Sequence, residues 1–161
     1  MRADQAARTG MSRFTGHLGL VLLEYSTGRP VLRDDRCLWY LPEPLHYERG
    51  AEGSGDLVSV PAFDPTGWTD AQLSTIRTRG VTDLASIPRI ARRLLPPDGP
   101  YVKAAIPHDD LYVTKGHGGR FTRREADDIL LEAMEVLGVP AWKRTMVYRA
   151  VRLGGQAGWG T

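Results

Sequence analysis

The chain has 161 residues, 42% apolar and 25% charged, which suits one globular domain with its own core. A formal net charge of +2 gives no overall field for nucleic acid, and no nucleic-acid partner is expected. Cys37 is the only cysteine, which excludes an internal disulfide and fits synthesis in a reducing cytosol. No run reaches the roughly 20 apolar residues of a membrane-spanning helix.

Residues 1–12 are small and polar, carry no apolar signal core, and read as a loose N-terminus. Residues 13–154 read as one α+β domain. Its first part, 13–61, is β-rich. The runs LGLVLLEY (18–25), RPVL (29–32), CLWYL (37–41), LHYER (45–49) and DLVSVP (56–61) are punctuated by glycine and proline, which predicts a small antiparallel sheet. Cys37, Trp39, Trp142 and Tyr148 read as core residues. Residues 62–80 are a loop excursion with one helical turn.

From residue 81 to 154 the pattern is helical. SIPRIARRLLP (86–96) starts near Pro88 and ends at Pro96. Further helices are predicted over 100–113, 122–137 and 141–153, the last ending at Gly154. The tail 155–161 reads as flexible, and Trp68 and Trp159 as exposed anchors or loose segments.

The helix TRREADDILLEAMEVLG opens with a Thr122–Glu125 capping box. At about 100° per residue, Ala126, Ile129, Leu130, Ala133, Met134 and Leu137 form one apolar arc, with Glu125, Asp128, Glu132 and Glu135 opposite. Asp127 falls inside the arc, where a carboxylate needs a partner. On the helix over AAIPHDDLY, His108 faces inward, Asp109 lies at the border and Asp110 points to solvent. The glycine-rich linker 113–121 suits a reversal into an antiparallel helix pair, and its His117 reads as exposed. His108 and Asp127 then meet across the pair. Such an imidazole is held in one tautomer and its other nitrogen can accept a proton from water; a structural His–Asp bond in a helical core is the alternative. Asp109 suits a hard cation such as calcium. Asp83, in VTDLASIP, is a second acidic candidate or a simple helix cap. Arg89, Arg92 and Arg93 form a basic rim for an anionic surface, or a solubilising one.

HDDLY, followed nineteen residues after its histidine by Asp127, resembles the core of secreted phospholipase A2 enzymes, over roughly residues 80–154. The resemblance implies an ester hydrolase with His108 as base and Asp127 as its orienting carboxylate. It also implies a calcium ion held by Asp83, the Leu84 carbonyl and Asp109, with Tyr112 and Tyr148 in support. The chain is also similar, over most of its length, to a phage-associated family known as domain of unknown function 1353. The matching segments are Thr82–Pro88, His108–Tyr112, Arg123–Asp127 and Tyr148–Gly154. Pro107 departs from the phospholipase pattern and predicts a bend or a new helical segment at His108.

The expected function is therefore a phage-encoded, calcium-dependent lipid-ester hydrolase acting on a lipid or envelope surface. The alternatives are a virion component of the tail, baseplate or neck, packed against other virion proteins with a structural His–Asp pair, and a cell-wall or peptide hydrolase using the same dyad. Each places the protein in the host cytoplasm on synthesis and then in the particle or at the host envelope.

Overall fold

The structure, a computed structural model, describes residues 12–50, 56–84 and 99–159. It is α+β, with short antiparallel strands in the N-terminal half and helices in the C-terminal half. The predicted helix over 86–96, with Arg89, Arg92 and Arg93, lies outside the described residues, as do residues 1–11.

The strands are β1 (Arg13–Thr15), β2 (Val21–Leu22), β3 (Leu32–Arg33), β4 (Arg36–Cys37), β5 (Trp39–Tyr40), β6 (Leu45–Arg49), β7 (Asp56–Val60) and β8 (Val81–Thr82). They form two three-stranded antiparallel sheets, ordered β1-β6-β7 and β2-β5-β8, and a β3-β4 hairpin. Alternation sets the inward face of the longer strands. Leu45, Tyr47, Val58 and Val60 are buried, with Tyr47 opposite Val58 in register. A one-turn helix, α1 (Asp70–Ser74), sits within the 62–80 excursion as the sequence suggests, closed by a Thr69–Gln72 capping box.

Three longer helices follow: α2 (Tyr101–Val113), α3 (Arg123–Val136) and α4 (Ala141–Gly154). A 3-10 turn, Gly155–Gly158, comes next. On α3 the Thr122–Glu125 capping box is formed, and Ala126, Ile129, Leu130, Ala133 and Met134 are all buried. Their contacts with Ala104, Ala105 and Leu111 of α2, with Val147 and Val151 of α4, and with Tyr47 and Val58 make one core between helices and sheet. Ile106 anchors α2 on Leu41, Leu45 and Val60. Pro107 neither breaks α2 nor starts a new segment: the helix runs unbroken through it. The proline removes one backbone donor, and its neighbours Ile106 and His108 are both buried.

The reversal between α2 and α3 is tighter than a loose glycine linker. Lys115, Gly116, His117, Gly118 and Gly119 all have positive φ, from 52° to 94°, so the run Lys115–Gly119 turns with left-handed backbone inside. Glycine is required at Gly116, because a Cβ there would lie 1.8 Å from the Phe121 carbonyl oxygen.

Several side chains differ from their sequence reading. Glu132, expected on the solvent side of α3, accepts hydrogen bonds from Ser12 Oγ (2.5 Å) and Tyr47 Oη (2.7 Å) and pairs with Arg49 (3.1 Å). It ties α3 to the β1-β6-β7 sheet, and burial beside it pushes the Tyr47 phenol pKa up. Ser12, assigned to the loose N-terminus, is buried. Trp142, read as core, is 58% exposed near the start of α4. Trp159, in the expected flexible tail, packs edge-on against Tyr112 with ring centroids 5.1 Å apart.

Candidate active site

His108 and Asp127 come together across the α2–α3 pair. His108 Nε2 lies 2.8 Å from Asp127 Oδ1, and both side chains are essentially buried, at 2% and 0% exposure. Asp127 satisfies its carboxylate fully. Tyr112 Oη donates to Oδ1 at 2.7 Å and Arg152 Nη1 to Oδ2 at 2.7 Å, with Arg123 Nη1 at 3.8 Å from Oδ2. Burial alone would raise the Asp127 pKa; the bonds from His108, Tyr112 and Arg152 outweigh it and hold the carboxyl below its ordinary value.

Nδ1 of His108 has no hydrogen-bond partner although it is buried. Its nearest charge is Asp109 Oδ1 at 3.8 Å, beyond hydrogen-bond reach. Burial lowers the His108 pKa, but the two carboxylates Asp109 and Asp127 outweigh it and raise the value above that of an ordinary histidine. An unpartnered, buried imidazole nitrogen with the other nitrogen fixed on a carboxylate is the arrangement a general base needs.

Nδ1 belongs to a residue that lines a cavity of about 510 Å³. Asp83, Asp109 and Tyr112 line the same cavity as His108. The partners of the two carboxylates were not foreseen. Asp109 Oδ2 accepts from Thr82 Oγ1 at 2.5 Å, and Thr82 Oγ1 in turn accepts from the Leu84 backbone N–H at 2.9 Å. Leu84 itself has φ of 55°, an uncommon left-handed conformation for a branched side chain. Asp83 Oδ2 pairs with Arg36 Nη1 at 3.2 Å. Arg33 and Arg77 also reach this wall.

These residues do not fit a calcium ion well. The resemblance would have Asp83, Asp109 and the Leu84 carbonyl hold it. Here a guanidinium already neutralises Asp83, a hydroxyl occupies one oxygen of Asp109, and three arginines line the same space. Among the described residues, no three histidine, cysteine, aspartate or glutamate side chains gather as a cation site. A dication there would compete with the arginines for the same carboxylates.

Asp110 corrects the sequence reading. It is buried rather than solvated, and takes a two-pronged pair from Arg79, Nε to Oδ1 at 3.0 Å and Nη2 to Oδ2 at 2.9 Å. His117, expected exposed, is half-buried with Nε2 2.8 Å from Asp110 Oδ2. Arg79 Nη2 also donates to the Ser59 carbonyl, so this second cluster braces α2 and the left-handed turn against β7. Tyr148 reaches the carboxylate that neighbours Asp127 on α3: its hydroxyl donates to Asp128 Oδ1 at 2.7 Å. Arg152, one helical turn on, serves Asp127.

The site residues missed in the sequence are arginines. RDDR at 33–36 was a usable signal, since adjacent aspartates between short strands mark a tight turn that brings the flanking residues face to face. Arg152 shares a helix face with Tyr148 at i,i+4 spacing. Arg79, by contrast, lies in an irregular segment with no periodicity to orient it.

The fold and site define an α+β protein with a buried His–Asp pair, clamped between antiparallel helices, at the wall of an arginine-lined cavity. The chain belongs to the family described as "Protein of unknown function (DUF1353)", which matches residues 62–151. No curated protein and no solved structure matches it. Among the described residues no helix is long and apolar enough to cross a membrane.

Proposed function

We propose that this protein is a hydrolase of lipid esters of phospholipase A2 type. The observation that carries the reading is the unpartnered Nδ1 of buried His108, whose Nε2 is fixed on Asp127 and whose side chain lines the cavity. The order of HDDLY and Asp127 along the chain, similar to that of the phospholipases, supports the same chemistry. His108 Nδ1 takes a proton from water, and the water oxygen forms a bond to the ester carbonyl carbon. Collapse of the tetrahedral species breaks the carbon–alkoxide bond. His108 returns the proton to the leaving oxygen, giving a carboxylic acid and an alcohol. Asp127 holds the tautomer and steadies the imidazolium. The substrate site is the cavity, and the natural setting of this reading is a phage protein acting on the host envelope.

The test is fatty-acid release from phospholipid vesicles by the full chain. Release is expected, and His108→Ala should lower it by about 10²–10⁴-fold with an unchanged circular dichroism spectrum. A correctly folded protein that releases nothing refutes the reading and leaves the Asp127 network as a helix brace, the role a virion component requires.

A further inference from the structure

The tip of the β3–β4 hairpin is costly by its own rules. Asp34 and Asp35 have φ of 48° and 61°, the double left-handed form of a two-residue hairpin turn. That turn sets Arg33 directly opposite Arg36, and like charges in that position destabilise a hairpin. Arg33 is partly desolvated, with Asp83 and Arg77 both near enough to shift it in opposite directions. Arg36 turns onto Asp83.

Among the described residues two buried side-chain nitrogens lack a partner, Arg36 Nε and His108 Nδ1, and both residues line the same cavity. Buried polar groups are almost always satisfied. Nε of arginine can only donate, and it carries charge. Nδ1 of His108 accepts in the tautomer that Asp127 fixes. An occupant reaching both nitrogens would be an oxygen bearing negative charge beside a water or hydroxyl. An ester carbonyl turning tetrahedral under attack by water has that form.

Building on the ester-hydrolase reading, we propose that Arg36 receives the developing oxyanion through its Nε–H, so that the cation of this site is a guanidinium and hydrolysis proceeds without calcium. Asp83 is then a positioning residue that aims Arg36, rather than a metal ligand. The product carboxylate presents a charged oxygen to the same donor and binds there too.

Calorimetric titration of the full chain with sodium hexanoate in excess EGTA reads this directly. Binding is expected, weakened at least tenfold in Arg36→Gln. Arg36→Lys keeps a positive charge facing Asp83 but has no Nε–H, and should also bind more weakly; it serves if Arg36→Gln fails to fold. No binding by the wild type, or equal binding by the folded variants, overturns the proposal. Because no turnover is needed, the two readings fail separately. Hexanoate binding that depends on Arg36 but comes with no vesicle hydrolysis keeps the anion site and sinks the hydrolase. Where hydrolysis is seen, EGTA should leave the rate unchanged and Arg36→Gln should lower kcat by about 10²–10³-fold. Loss of activity in EGTA restored by calcium, or a calcium isotherm that Asp83→Asn abolishes, overturns it as well.

Discussion

Asp127→Asn isolates the charge at the centre of the helix pair. The carboxylate takes three short hydrogen bonds, from His108, Tyr112 and Arg152, at 2.7–2.8 Å. Hydrogen bonds to a charged group contribute about 1.5–3 kcal/mol, against about 0.5–1.5 for neutral pairs, so neutralisation weakens each by roughly 1 kcal/mol. The amide also turns an N–H₂ toward a donor, most directly Arg152. Breaking a buried pair costs about 3–5 kcal/mol; Arg152, with its side chain 31% exposed, regains water and brings the estimate to the low end, about 3 kcal/mol. Urea denaturation at pH 7 measures it, and at a slope of about 1–3 kcal/mol per molar the midpoint should fall by at least about 1 M. The pH dependence checks the cause. The Asp127 pKa is lowered on folding, so its contribution is complete above the ordinary carboxylate value, about 3.9, and is lost as pH falls through the folded value. Below the His108 range the gap between wild type and variant should narrow as pH falls into strong acid. A variant within 1 kcal/mol of wild type at pH 7, or a gap unchanged in acid, refutes the charge-centred account.

The raised His108 pKa has the opposite sign: its stabilisation is complete below about 6.5 and is lost as pH rises through the folded value. Since the base must be neutral, the acid limb of the pH–rate profile should lie above pH 6.5, and Asp109→Asn should move it downward. Asp110→Asn should cost about 2 kcal/mol in thermal denaturation, discounted because Arg79 is 41% exposed, and Asp109→Asn less than about 1; the reverse order would contradict the burial of Asp110. Gly116→Ala should destabilise by more than about 2 kcal/mol through the clash with Phe121. Gly118→Ala, with a similar φ of 74° and open space around its Cβ, should cost only the left-handed penalty of about 1–2 kcal/mol.

What was legible in the sequence followed helical periodicity. The arc on α3, its capping box, the inward turn of Asp127 and the pairing with His108 all depend on one angle per residue, which the chain fixes locally. The strand runs were legible as β, and LHYER and DLVSV match β6 and β7 closely. Asp110 and Glu132 were misread for one reason: a wheel describes which way a side chain points from its own helix, not what stands opposite. α2 is surrounded on several sides, by α3, by the sheet and by the segment carrying Arg79, so its polar-looking face is also buried. Arg36 opens a two-residue strand and Arg79 lies in a turn, segments too short or irregular for a period to give direction, and only the tertiary fold brings them to the α2 side.

Three consecutive residues of α2 thus serve three separate surroundings: His108 the partner helix, Asp109 the cavity, and Asp110 the sheet side. The helix acts as an indexing shaft, each step of about 100° delivering one side chain to a different neighbour. The scheme tolerates changes of residue size far better than changes of count. Deleting one residue between Tyr101 and Pro107 would rotate the whole set by one step, sending the imidazole toward another neighbour's place and a carboxylate toward the imidazole's. Length within this helix therefore sets all three contacts at once.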